Sequence, residues 1–166
     1  MSRPKDKEPQ DKEEVFEDPL VIVDGRQSPR AAAIQRGVCR HLLNMGYSPL
    51  TELPLKTGRR VDVAGLNKKG EIVIVEIKSN LADFQADHKW EEYLPFCDRF
   101  YFAVDIDFPQ DVLPENVGLI IADRYGAEVM CEGSLEKLAT SRRKAVTLHF
   151  ARAAARRAHR LIDPDL

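Results

Sequence analysis

A chain of 166 residues has room for one domain, since domains run to about 100 to 200 residues. A hydrophobic content of 43% under 31% charged residues suits a packed core with a solvated surface, and 25 Lys and Arg against 27 Asp and Glu exclude a histone-like binder working through bulk charge. The longest apolar runs, such as residues 119–122, fall far short of the roughly 20 residues of a bilayer span, so a membrane helix is excluded as well.

The first residues, Met1-Ser2-Arg3-Pro4-Lys5, lack the apolar stretch of a secretory signal, which predicts a cytoplasmic protein. Residues 1–27 hold eight acids, five bases and three prolines, a composition that cannot bury enough surface to offset its ordering entropy. They are expected to form a mostly disordered acidic tail, with residues 21–25 a short extended arm, ahead of a single domain over 28–166. Cys39, Cys97 and Cys131 show neither a disulfide pattern nor zinc spacing and read as reduced, half-buried thiols.

Ser28-Pro29 is a capping hydroxyl followed by proline at the first helical position. Ala31, Ile34, Val38, Leu42 and Met45 then draw an apolar helical face that Gly46 ends, predicting a helix over 29–45. The period changes to strand-like runs at 48–55, 60–66 and 71–78, separated by plausible hairpin connections. Ser79-Asn80 caps a second helix, whose stripe of Ala86, Trp90, Tyr93 and Leu94 lasts until Pro95. Strands follow at 99–104, 117–122 and 127–130, and a last helix starts at Ser134 or Ser141 and runs to about Leu161. This order describes an α/β fold, a central mixed β-sheet flanked by helices.

The chemistry lies in Arg59-Arg60-Val61-Asp62-Val63 and in Glu71-Ile72-Val73-Ile74-Val75-Glu76-Ile77-Lys78. On a strand, Ile72, Ile74, Glu76 and Lys78 share one face, so two charges end an otherwise apolar run, where burial must be answered by pairing, neutralisation or a cation. Val61 and Val63 are expected to point together, away from Asp62. If residues 67–70 close a hairpin, the strands must splay or bulge at Asp62 for it to meet Glu76. Two converging carboxylates suit Mg²⁺ or Mn²⁺, which can polarise a phosphate oxygen, and an adjacent ammonium can orient a water and stabilise developing charge. These are the parts of phosphodiester hydrolysis.

Asp62, followed thirteen residues later by Glu76-Ile77-Lys78 between two helices, resembles the PD-(D/E)XK nuclease superfamily. Within it, residues 30–159 look like the MmcB-like DNA-repair proteins, through Gly58-Arg59-Arg60-Val61-Asp62-Val63, Val75-Glu76-Ile77-Lys78-Ser79 and Asp87-His88-Lys89-Trp90-Glu91-Glu92-Tyr93. The resemblance implies a restriction-endonuclease-like core in the order αβββαβ. It makes Asp62 and Glu76 metal-binding acids, the Ile77 carbonyl a further ligand and Lys78 the catalytic lysine. Where many members carry a Glu on the first helix, Gln35 stands here, a weaker neutral ligand. Lys89 and Tyr93 match the spacing of a Gln-x-x-x-Tyr motif, the Lys suggesting phosphate contact, and Val61 replaces the proline of the superfamily name.

Glu52 can assist the site or be an ordinary strand residue; Asp83 and Asp87 can approach a metal but read first as solvated helical acids, and Trp90 and Tyr93 can stack on a base but read first as core. The final helix carries seven bases with no acid between Lys137 and Asp163. Leu148, Ala151, Ala155, Ala158 and Ile162 are taken as its buried stripe, leaving Arg152, Arg156 and Arg160 aligned elsewhere to track DNA phosphates or to pair with the acidic tail or a partner subunit. The expectation is a metal-dependent repair nuclease. The alternatives are a non-catalytic DNA-binding or adaptor protein on the same fold and, more weakly, a small dimeric scaffold; homodimerisation and protein partners stay open.

Overall fold

The computed structural model describes residues 27–165, so the expected acidic tail and the arm at 21–25 lie outside the described residues. Helix α1 (Pro29–Asn44) starts as the sequence requires, with the Ser28 hydroxyl accepting from the Ala31 N–H at 3.1 Å. Its buried face is Ile34, Val38 and Leu42, while Met45, just past the helix, is exposed. Strands β1 (Tyr47–Pro54), β2 (Arg60–Asn67) and β3 (Ile72–Ile77) pair antiparallel in sequence order. A short helix α2 (Leu81–Ala86) and a 3₁₀ helix (Trp90–Phe96) carry the chain to β4 (Arg99–Val104), parallel to β3. Strands β5 (Gly118–Ala122), parallel to β4, and β6 (Ala127–Cys131), antiparallel to β5, complete a six-stranded mixed sheet in order 1-2-3-4-5-6, before the long helix α3 (Thr140–Ile162). The αβββαβ order expected from the resemblance is the one observed. Among the described residues, no helix is long and apolar enough to cross a membrane.

The sheet has a core on each face. Ile34, Val38 and Leu42 of α1 pack on Val63, Val73, Val75, Ile77 and Tyr101. On the other face Ile72, Ile74, Phe100 and Phe102 meet Tyr93 and Phe96 of the 3₁₀ helix and Val146, Phe150 and Ala153 of α3. The alternation expected along β3 is therefore present. Gly37 lets α1 lie directly on the β5–β6 turn, because a Cβ there would sit 1.9 Å from the Asp123 carbonyl oxygen.

Three expectations need correction. The second helix is broken: α2 ends at Ala86, and the chain resumes as a 3₁₀ helix that contains Pro95 instead of stopping at it. Asp87, at the break, turns its carboxylate to Lys78 and to the Lys89 N–H, competing with continued helix. Ala86 and Leu94 are consequently exposed, and Trp90 and Tyr93 stack on Phe100 in the core. The buried stripe of α3 is not Leu148, Ala151, Ala155, Ala158 and Ile162, all exposed, but Val146, Phe150 and Ala153. Two arginines, Arg143 and Arg157, flank these on the inward face and disguise it as polar. Finally, Cys131 is exposed, whereas Cys97 is buried and Cys39 is half-buried.

Arg143 shows why a cation faces inward. It forms a two-pronged ion pair with Asp98, at 2.7 and 2.5 Å, and Asp98 also accepts from the Ile72 and Leu138 N–H groups at 2.8 and 2.9 Å. This buried carboxylate thus joins β3, the segment before α3 and α3 itself. Burial opposes its ionisation, but Arg143 and the two main-chain donors outweigh that and hold its pKa below the ordinary carboxylate range.

Asp98→Asn is expected to lower unfolding free energy by about 3 kcal/mol, since it leaves Arg143 without its counter-charge. Because the folded pKa is depressed, the contribution of Asp98 is present above the unfolded carboxylate pKa and is lost as pH falls through the folded one. Urea unfolding at neutral and acid pH should show the two proteins converging at low pH. Gly37→Ala is expected to cost about 2 kcal/mol in the same assay by overpacking against backbone.

Candidate active site

The β2–β3 ladder decides the site. Val63 stands opposite Val75, so the next opposed residues are Asp62 and Glu76, and there the pairing stops. Instead of a main-chain bond, the Asp62 carboxylate accepts the Ile77 N–H through Oδ2 at 2.7 Å. The strands splay at the point where the sequence requires it. The splay also breaks the alternation of β2: Val61 packs in the core facing α3 and Val63 in the core facing α1, so these two valines do not point together as expected.

Glu76 and Lys78 are 8% and 6% exposed, rare for charged residues. Lys78 Nζ lies 3.5 Å from Glu76 Oε1 and 2.6 Å from Asp87 Oδ2. Asp87, expected to be solvated, is therefore the main partner of the lysine. Burial works against the Lys78 charge, but Asp87 and Glu76 more than offset it and raise its pKa, while Lys78 and the Lys89 N–H bring that of Asp87 down. Burial raises the pKa of Asp62, and burial together with the Asp62 charge pushes Glu76 up to about 9. Burial and the neighbouring Asp62 charge thus favour the protonated form of Glu76.

Glu76 Oε2 is buried without a hydrogen-bond partner. An orphaned carboxylate oxygen facing a second carboxylate has the donor chemistry of a hard divalent cation site. Among the described residues no three acidic, His or Cys side chains converge, which leaves Asp62 and Glu76 as the side chains whose chemistry fits such a cation. Such a sparse set suits Mg²⁺, which keeps several waters and is commonly held by one or two carboxylates.

Asp62 and Ile77 line a cleft of about 630 Å³ between α1, β1 and the start of α2, to which Gln35, Glu52 and Arg60 also contribute. Gln35 Nε2 donates at 3.4 Å to both Glu52 Oε1 and the Asp62 carbonyl, so it braces the strands at the splay. Glu52 adopts φ +54°, costly for a residue with a Cβ by about 1 kcal/mol or more. Its Oε2 forms an ion pair with Arg60 Nε at 2.6 Å, and its carbonyl and that of Thr51 accept from Arg157 of α3. Asp83 is exposed and accepts from Asn80 at the start of α2. Lys89, Arg152, Arg156 and Arg160 are all exposed and outside this cleft. Sequence reasoning missed Asp87, Arg60 and Arg157. The first two lie within phrases already singled out, but only the break after α2 and the inward face of α3 reveal their partners.

Opposed Asp and Glu at the frayed end of an antiparallel pair, with a lysine two residues on and this order of elements around them, are the arrangement that the resemblance to PD-(D/E)XK nucleases implies. The chain belongs to the DNA repair protein MmcB-like family, whose profile matches residues 18–165. It is similar over 84% of its length, at 47% identity and a TM-score of 0.79, to the SPO1766 protein of unknown function from Silicibacter pomeroyi, of which 95% is covered. A repair endonuclease from Pyrococcus abyssi matches at 21% identity and a TM-score of 0.33, over 54% of this chain and 42% of that one. No curated protein matches.

With Glu76 protonated in the fold well above its unfolded pKa, its contribution to stability is complete below the ordinary glutamate pKa and is lost as pH rises through about 9. Thermal melting of the metal-free protein should therefore show the midpoint falling from the ordinary glutamate pKa up to about 9 and levelling above it. Glu76→Gln, close in shape to the protonated acid, is expected to flatten that decline.

Proposed function

We propose that this chain is a Mg²⁺- or Mn²⁺-dependent nuclease that hydrolyses DNA phosphodiester bonds during repair. The observation that carries this reading is the orphaned Glu76 oxygen, buried opposite Asp62, which itself lines an open cleft. Family membership supplies the repair context.

Asp62, Glu76 and the Ile77 carbonyl would hold the cation, which when bound supplies Lewis acidity toward a phosphate oxygen and lowers the pKa of a water. Asp62 is oriented by the Ile77 N–H, so one of its oxygens is committed and its direction is set. Because burial and the Asp62 charge favour the protonated form of Glu76, affinity for the cation would rise with pH. Lys78 stays charged between Asp87 and Glu76, where its ammonium can orient the attacking water and offset charge developing on the phosphorus-bound oxygens. Lys89, Arg152, Arg156 and Arg160, all exposed, would lie along the flanking backbone.

A second reading, a non-catalytic DNA-binding or adaptor protein, is favoured by one feature: Lys78 is already held by Asp87 at 2.6 Å. Incubation with single-stranded, nicked and branched DNA in Mg²⁺ separates the two. The nuclease reading expects cleavage by wild type and a loss of about a hundredfold or more in Glu76→Ala and Lys78→Ala. Equal, negligible cleavage by all three with DNA binding intact would establish the adaptor reading. Calorimetric titration with Mn²⁺ should give binding to wild type that Glu76→Ala abolishes.

A further inference from the structure

The cleft that holds Asp62 is lined by three acids, Glu52, Asp62 and Asp83, whereas a second concavity, on the α3 side of the sheet, has none among its described lining residues. It lies between the turn that joins β1 to β2 and the first turns of α3, with a volume of about 280 Å³. Leu55, Phe96, Ala145 and Val146 make its lining apolar, and the exposed Lys56, Ser141 and Arg142 complete it.

Local structure fixes both walls. Gly58, at φ +80°, lets the chain reverse so that its N–H reaches the Leu55 carbonyl at 3.0 Å, and the Leu55 N–H donates to the Arg59 carbonyl at 2.7 Å. Lys56 is therefore carried on a closed turn. His149 of α3 donates through Nε2 to the Pro54 carbonyl, which ties that turn to the helix. Arg142 lays its guanidinium over the Phe96 ring, 4.7 Å from the ring centre. This contact uses the face of the guanidinium, while its N–H donors lie in the plane, where an anion meets them. Among the described residues neither Lys56 nor Arg142 is ion-paired with an acid.

Two cations beside an apolar cavity suit a ligand that is anionic at one end and flat and apolar at the other. A duplex keeps its bases stacked inside and turns its phosphates outward, whereas an unpaired nucleotide presents a base face and a phosphate together. The helix favours a polymer over a small anion. Arg142, Ala145, His149 and the exposed Arg152 follow one another at steps of three and four, so the cavity heads a stripe of α3 that continues into positive charge, with no acid between Lys137 and Asp163. We propose that this cavity holds one unpaired nucleotide of a single DNA strand, its base in the apolar lining and its phosphate on Lys56 and Arg142. The assignment rests on the DNA reading above and deepens it, by giving the unpaired strand as the form of DNA that the protein holds.

The test is fluorescence anisotropy on the full chain with a short labelled single strand, its duplex and an abasic strand of the same length, in Ca²⁺ across a salt series, with a poly-glutamate peptide as competitor. Wild type is expected to bind the complete strand about tenfold more tightly than the abasic one, the contribution of a stacked base. Lys56→Gln and Arg142→Gln should each weaken strand binding and lower the slope of log affinity against log salt by about 0.7, the signature of one lost single-strand phosphate contact. Ala145→Phe fills the cavity without changing charge; it should weaken strand binding about tenfold, remove the preference over the abasic strand, and leave the slope and the duplex affinity unchanged. Lys56 and Arg142 are exposed, so their variants read the outcome even where Ala145→Phe fails to fold. Folded Lys56→Gln and Arg142→Gln proteins with unchanged affinity and slope overturn the assignment while leaving the DNA reading intact. Equal binding of complete and abasic strands by wild type overturns the placing of a base in the cavity. A peptide that competes as well as the strand, and loses its affinity in the same variants, overturns the nucleotide in favour of an acidic polypeptide. A wild type that binds none of the three DNAs overturns the DNA reading, and this assignment with it.

Discussion

The structure turns on the place where two antiparallel strands stop pairing. Register brings Asp62 and Glu76 opposite one another, the first half-buried and the second buried, and two neighbouring carboxylates so placed do not readily both ionise without a counter-charge. The ladder gives way there, Asp62 takes a main-chain donor from β3, and Glu76 keeps an oxygen with no partner. A sheet optimised for stability alone would place apolar residues at this position, as it does one step inward at Val63 and Val75. The cost is tolerable because the five residues of β3 before Ile77 include four buried aliphatic ones packed from both sides.

The surrounding elements limit what this end of the sheet can do. On one side, Gln35 of α1 spans Glu52 and the Asp62 main chain; on the other, the break after α2 delivers Asp87 to Lys78. Helix α3 is attached by two inward arginines near its ends, Arg143 on Asp98 and Arg157 on the β1 carbonyls, with Val146, Phe150 and Ala153 between them. Residues 143, 146, 150, 153 and 157 follow helical spacing as faithfully as the exposed set 148, 151, 155, 158 and 162. The difference is that the inward set brings a phenylalanine and two cations whose counter-charges or acceptors sit on the sheet.

Much of the architecture is legible from local pattern. The Ser28-Pro29 cap, the switch of period after Gly46, the apolar run of β3 and the strand at residues 99–104 are each signals that act over a few residues, and each element forms within a residue or two of its expected bounds. The candidate acids and lysine are legible for a related reason: charge at the end of an apolar strand is conspicuous in one dimension. The break after α2 and the inward face of α3 are not conspicuous. Both depend on partners distant in sequence, nine residues away for Asp87 and 45 or more for Arg143 and Arg157.

Near-neutral net charge first counted against a polyanionic partner, yet the acids and bases are unevenly spread along the chain. The sequence by itself determined the order of elements, the opposed acids and the lysine beyond them, because these follow from hydrophobic period and from strand alternation. Tertiary structure alone decided that Asp87 claims Lys78 and which arginines of α3 face the sheet. Those outcomes are set by the pairing of buried charges across long stretches of chain, and periodicity carries no information about which acid a given cation will meet.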